Sequence, residues 1–104
     1  MLIVLTTIPD FSEGSKLAAK LVESKLASCV QIVPQIMSVY IWEDSVTKAN
    51  EHLLLIKTTV EKYSELEKFI SQNHSYDVPE IVAFESSNVS QPYKSWLEET
   101  LRKR

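Results

Sequence analysis

The chain has a single cysteine, a single glycine and four prolines among its 104 residues, and each scarcity closes off a class of protein. Cys29 has no second cysteine to pair with, so a disulfide-stapled scaffold and a CxxC redox or zinc motif are both excluded, and a reducing compartment, the cytoplasm, is expected. The lone glycine, Gly14, falls inside a helical segment, which leaves no glycine-rich phosphate loop and no nucleotide site of that kind. No HExxH helix occurs, so zincin-type hydrolysis has no support either. No apolar run approaches the roughly 20 residues that a membrane helix requires. The opening Met1-Leu2-Ile3-Val4-Leu5 runs straight into Pro9-Asp10, without the basic leader and long apolar region of a signal peptide, so neither export nor membrane insertion is expected. Positive charge is not in excess: the formal net charge is −3. The only basic run, Arg102-Lys103-Arg104, suits the negative end of a helix dipole. Without a basic face, nucleic acid is not an expected partner.

What is present is an ordinary globular composition, 44% hydrophobic and 24% charged, in a chain of the size that builds one core. One domain spanning residues 1–104 is expected. Leu2 to Leu5 reads as a short strand buried on both faces in the sheet centre. Leu17, Ala18, Leu21, Val22 and Leu26 then recur at helical spacing, with Ser12 as the N-cap and Glu13 in the first turn. Cys29 to Val33 is a β-branched segment that meets Pro34, which favours an edge, a bulge or a break. The chain resumes from Ile36 to Trp42, turns at Glu43-Asp44-Ser45, and returns through Val46 to Val60 with the apolar block Leu53 to Ile56. A second amphipathic helix carries Tyr63, Leu66, Phe69 and Ile70 behind Thr59 as a cap. Ile81 to Phe84 forms another strand, and a last helix begins near Ser90 and Pro92, with Tyr93, Trp96, Leu97 and Leu101 on one side.

The order β-α-β-β-α-β-α is a mixed α/β fold, a ferredoxin-like βαββαβ sandwich with an extra C-terminal helix, in which the helices should cover one sheet face. Fully extended, the second hairpin arm from Val46 to Thr59 would span roughly 45 Å, against roughly 18 Å for a helix of about 12 residues. The hairpin would therefore overhang its own helices. An overhang carrying Val39, Tyr40, Ile41 and Trp42 exposes an apolar edge that soluble proteins cover with a partner chain, which predicts a homo-oligomer.

Few residues suggest chemistry. Cys29 with His52 or His74 has the residue types of a nucleophile and base, but no spacing links them, and a buried inert cysteine is the simpler reading. His52 adjoins Glu51 in a strand, where neighbours point to opposite faces, so a shared metal is not expected and His52 reads as a solvated or interface histidine. The loop His74-Ser75-Tyr76-Asp77-Val78-Pro79-Glu80 gathers an imidazole, a phenol and two carboxylates. His74 and Asp77 there have the chemistry to orient each other as at metal sites, although anchoring the start of the next strand is the simpler reading of such a loop. Lys57 ends an apolar strand, where it either faces an anionic ligand or snorkels to water. Trp42, Tyr40, Trp96 and Phe84 read as packing anchors.

The chain resembles the CutA family of divalent-cation tolerance proteins along nearly its whole length. The resemblance runs through Thr6-Thr7-Ile8-Pro9-Asp10, Leu26-Ala27-Ser28-Cys29-Val30, Val39-Tyr40-Ile41-Trp42-Glu43, Glu51, Ile56-Lys57-Thr58, His74 to Ile81 and Tyr93-Lys94-Ser95-Trp96-Leu97. It implies a ferredoxin-like protomer, a homotrimer interlocked through long hairpins, and a role in tolerance to copper and other divalent cations. It further implies an architecture similar to PII-type signalling trimers, which bind small ligands between subunits. The chain departs from the family in places. Some members carry a cysteine at the position of Thr6 and a histidine at that of Asn73, a set proposed to bind copper with the next histidine; here only His74 remains. Ser75 replaces the usual proline, and Glu43-Asp44-Ser45 lacks the glycine common after the tryptophan.

Two functional readings follow, neither of them enzymatic, since no activated nucleophile or acid–base pair can be named. The first is a trimer that binds Cu²⁺ or another divalent cation weakly through His74, with Cys29, Asp77 or Glu80 as lesser candidates. The alternative is a PII-like sensing or scaffold trimer, with Trp42, Glu51, Lys57, Tyr76 and Glu80 lining a cleft between subunits.

Overall fold

The structure is a computed structural model that describes residues 1–102. Of the basic run Arg102-Lys103-Arg104, only Arg102 falls within the described residues, in the last turn of a helix. The strands are β1 (Leu2–Ile8), β2 (Cys29–Trp42), β3 (Ser45–Thr58) and β4 (Val82–Glu85), and the helices are α1 (Phe11–Glu23), α2 (Val60–Asn73) and α3 (Gln91–Arg102). The strands form one sheet in the order β2-β3-β1-β4, with antiparallel pairing throughout. β1 lies between two neighbours, as its continuous apolar run suggests, but it is fully buried on one face only, Ile3 and Leu5 being half-buried on the other, and β2 is the edge strand that Pro34 favours.

Side-chain alternation divides the sheet into two unlike faces. Val4, Ile8, Leu54 and Ile56 are fully buried on the face that meets Leu17 and Leu21 of α1 and Leu66 and Ile70 of α2. Gly14 makes the approach of α1 possible: a Cβ there would stand 2.9 Å from Ile8 Cγ2 and 3.4 Å from Leu54 Cδ1. The opposite face carries half-buried Ile3, Leu5, Leu53 and Leu55 with exposed Val33, Val82 and Phe84.

Several expectations need correction. Asp10, not Ser12, caps α1, accepting from the Glu13 amide at 3.0 Å. Extended backbone after Pro9 presents the stronger, charged cap two residues earlier. Val22 is exposed, and Leu26 is buried beyond the helix end. Lys25 takes φ 64° and turns the chain, so that the Leu26 amide returns to the Leu21 carbonyl. Thr59 caps α2 by position but makes no side-chain bond. The helices do not all cover one face. α3 closes the sheet end where β2 begins and β3 finishes: Ser28 Oγ donates to the Leu97 carbonyl at 2.9 Å and accepts from Thr100 Oγ1 at 2.9 Å. Tyr93 reaches Cys29 and Lys57, which are register partners on the face opposite Ile56.

The hairpin overhangs as expected. β1 accompanies β3 only as far as the Ile8–His52 pair, so residues 36–51 form a two-stranded arm, and the molecule is 45 Å long. The ladder is irregular between Val33 and Ile36, where Pro34 lacks an amide hydrogen and Gln35 takes φ 60°.

Candidate functional site

The loop that follows α2 is organised by His74, which leaves the helix in extended conformation. Its Nε2 lies 2.8 Å from the Thr7 carbonyl oxygen, and its Nδ1 lies 3.0 Å from the Tyr76 amide nitrogen. A carbonyl only accepts and an amide only donates, so Nε2 carries the hydrogen and Nδ1 is bare. Both ring nitrogens are thus engaged. The Ser75 amide donates to Glu13 Oε2 at 2.9 Å, tying the loop to the first turn of α1. The expected pairing of His74 with Asp77 is replaced by these backbone partners, because the helix end sets the ring beside β1.

Tyr76, fixed by His74 at its amide, sends its hydroxyl to Glu51 Oε2 at 2.7 Å. The His74 and Tyr76 rings lie against each other with centroids 5.1 Å apart. Glu51 is only 6% exposed, an unusual place for a carboxylate. Burial, then the hydrogen bond to Glu51 and the charge of that carboxylate, push the Tyr76 phenol up to about 12. Tyr40 and Glu13 add smaller effects in the same direction. Tyr76 is therefore a permanent donor at physiological pH.

A second cluster lies at the other end of β3. Lys57 Nζ donates to Gln31 Oε1 at 2.8 Å and stands 5.8 Å from the Tyr93 ring centroid. Burial, then the charge of and a hydrogen bond with Cys29, raise the Tyr93 phenol above its ordinary value. Cys29 is half-buried, where full burial was expected. His52 has a specific place as well: Nδ1 accepts from the Gln35 amide at 3.2 Å, and its ring meets Phe11 edge-on at 5.5 Å. That bond fills the gap in the ladder left by the irregularity at Pro34.

The candidate residues thus fall into separate places. Glu51 and Tyr76 meet. Lys57 is six residues from Glu51 along β3, roughly 20 Å at strand rise. Trp42, opposite Ser45 at the hairpin tip, is 63% exposed and a similar distance away in the other direction, and Glu80 is exposed in the loop. Cys29 pairs with Lys57, whereas Thr7, which holds His74, pairs with Leu53 on the other side of β3; four strand positions put them roughly 13 Å apart along the strand direction alone. Among the described residues, no three of His, Cys, Asp and Glu come close enough to hold a metal ion together. An ion at His74 would have to displace the Tyr76 amide from Nδ1. The described residues of one chain therefore do not fit a resident divalent ion. Sequence reasoning missed the Thr7 carbonyl and Glu13, and read Tyr40 only as a packing residue. A carbonyl leaves no trace in a sequence, whereas the placement of Tyr40 on the Glu51 face follows from strand alternation once the register is known.

Among the described residues no helix is long and apolar enough to cross a membrane. The family model described as CutA1 divalent ion tolerance protein matches residues 2–100. Protein CutA, chloroplastic, of Arabidopsis thaliana is 43% identical over 101 residues, covering 97% of this chain, while the chain spans 56% of that relative's length. The divalent-cation tolerance protein CutA of Thermus thermophilus is 40% identical over 97 residues, covering 93% of this chain and 94% of the relative. The crystal structure of CutA1 from Oryza sativa superposes with a TM-score of 0.95 at 39% identity, covering 99% of this chain and 94% of that one. Fold, length of match and identity agree, and the chain belongs to the CutA1 divalent ion tolerance family.

Proposed function

We propose that this chain serves divalent-cation tolerance as a cytoplasmic, non-enzymatic homotrimer that takes up copper or another divalent cation weakly, through His74, with no built metal centre in the single chain. The observation that carries the assembly is the projecting hairpin, apolar on both faces: Met37, Val39, Ile41 and Val46 on one and Tyr40 and Trp42 on the other are all more than two-fifths exposed. A soluble chain covers such a surface with copies of itself. Weak uptake follows from the ring of His74, since metallation at Nδ1 must first break the hydrogen bond from Tyr76. The cytoplasm suits a lone, half-buried thiol.

Light scattering and calorimetric titration with Cu²⁺ and Zn²⁺ test this together. The expected result is three times the protomer mass, with weak saturable binding that His74→Ala removes. A monomer overturns the assembly, and tight binding indifferent to His74→Ala overturns the assignment of the ligand.

A second reading has its own observation. Glu51 is a buried carboxylate on the open sheet face and, among the described residues, has one hydrogen-bond partner, Tyr76. That is the chemistry of a small-ligand cleft completed by a neighbouring subunit, in the manner of PII-type trimers. A ligand that raises the melting temperature in the absence of metal is its test.

A further inference from the structure

We infer that Glu51, hydrogen-bonded by Tyr76 and on the same sheet face as Tyr40, is the receptor for an organic cation, an alkylammonium or guanidinium group. The inference rests on the cleft reading of these residues and names the class of group that the cleft takes. Glu51 is 94% buried by its 6% exposure, yet it has no cationic partner among the described residues; Tyr76 is its one hydrogen-bond donor, at Oε2. Its other oxygen is not sealed in, because among the described residues the only buried side-chain polar atom without a partner is Thr6 Oγ1. Oε1 therefore keeps some accessible surface that a ligand group can reach, and the neutral phenol at Oε2 brings no positive charge. A buried carboxylate in this state is costly unless a cation meets it.

The surroundings decide which cation. Glu51 is the register partner of Ile36, and further along that same face of β2 stand Tyr40, roughly 13 Å away at strand rise, and then Trp42 at the tip, roughly 20 Å away. Tyr40 is close enough to Tyr76 to add to the rise of its phenol. A carboxylate with the Tyr76 ring beside it, and Tyr40 further along the same face, provides a charge-assisted hydrogen bond and a π face, the pair of interactions that bind ammonium and guanidinium groups. A divalent metal ion asks for several hard or imidazole donors, and no such group of three exists among the described residues. An anion is repelled by Glu51.

Such a cation has two sources, a free amine or a basic side chain of another copy. Lys48 is the one basic residue on the projecting arm, residues 36–51, while Lys57 is already bonded to Gln31. The experiment separates the two sources. Wild-type protein, Glu51→Gln, Tyr40→Leu and Lys48→Ala are first sized by light scattering across a dilution series. Each is then titrated calorimetrically with n-butylammonium chloride and n-butylguanidinium chloride, against sodium chloride at matched ionic strength.

A free ligand is indicated by saturable binding of either probe but not of sodium, weakened about thirtyfold or more by Glu51→Gln and roughly threefold to tenfold by Tyr40→Leu. A lysine of a second copy is indicated if neither probe binds wild type, while Glu51→Gln and Lys48→Ala weaken assembly to the same extent and the double variant is no worse. Any other pattern overturns the inference, including a Glu51→Gln protein that assembles like wild type where no probe binds. Gln keeps an acceptor for Tyr76, and Tyr40→Leu provides an independent arm should Glu51→Gln fail to fold. A monomeric wild type defeats the cleft reading alone, since probe binding at Glu51 is still read on the monomer.

Discussion

Thr6 Oγ1 is fully buried in β1, opposite Leu54, and has no hydrogen-bond partner among the described residues. A hydroxyl held from water without a partner loses more than it gains. Thr6→Val keeps the branched shape and removes the hydroxyl, so it should raise stability by about 1 kcal/mol, read from the urea midpoint at unchanged m. Tyr76 supplies a pH prediction. Its phenol is raised from 10.0 to about 12, so the folded state keeps the proton over a range where the unfolded chain releases it. That contribution is complete below the unfolded value near 10 and is lost as pH rises through about 12. Thermal melts from pH 9 to 12 should therefore fall more steeply for wild type than for Tyr76→Phe, and parallel curves would reject the assignment. The loop around Tyr76 was legible as a polar concentration, but its bonds were not. His74 meets Thr7 across 67 positions and Ser75 meets Glu13 across 62, and no local pattern encodes contacts of that range.

The elements themselves were legible where hydrophobic period and chain punctuation agree. The central place of β1, the break at Pro34, the long hairpin and three helices all follow from run length, alternation and proline chemistry. Boundaries were less so. Asp10 and Ser12 are both good caps, and only the observed backbone chooses between them. The wrapping of α3 around the sheet end was not legible either, because it depends on Ser28 and Cys29, some 70 positions from Leu97 and Thr100. The hairpin turn offers the test at this scale. Glu43 and Asp44 take φ 50° and 64°, the paired left-handed geometry of a two-residue turn that favours Asn-Gly. A side chain in that region costs roughly 1–2 kcal/mol, less for Asp, and glycine removes the cost. Replacing Glu43-Asp44 by Asn-Gly should add about 1 kcal/mol and raise the melting temperature. No rise would mean that the tip is held by contacts outside the protomer.

At the scale of the whole molecule, the faces of the sheet make unequal demands. The covered face is complete within one chain: Val4, Ile8, Leu54 and Ile56 are shut in by α1 and α2. The open face and the arm beyond the Ile8–His52 pair leave Val39, Ile41, Trp42, Val46 and Phe84 more than half exposed. The hairpin therefore gives a prediction whose size separates a lone protomer from the proposed trimer. In a monomer, Ile41→Ser and Val46→Ser alter side chains that are 65% and 70% exposed, and such changes shift stability by no more than about 0.5 kcal/mol. In a trimer that buries both, each removes roughly 1.5–3 kcal/mol of apolar burial per protomer. Three protomers lose this together, so the double variant should dissociate on dilution at concentrations where wild type remains assembled. Far-ultraviolet circular dichroism should stay unchanged, because the covered core holds neither residue. Light scattering across the dilution series reads the result directly: protomer mass with intact secondary structure places the arm in the interface, and an undisturbed trimer of unchanged stability removes it.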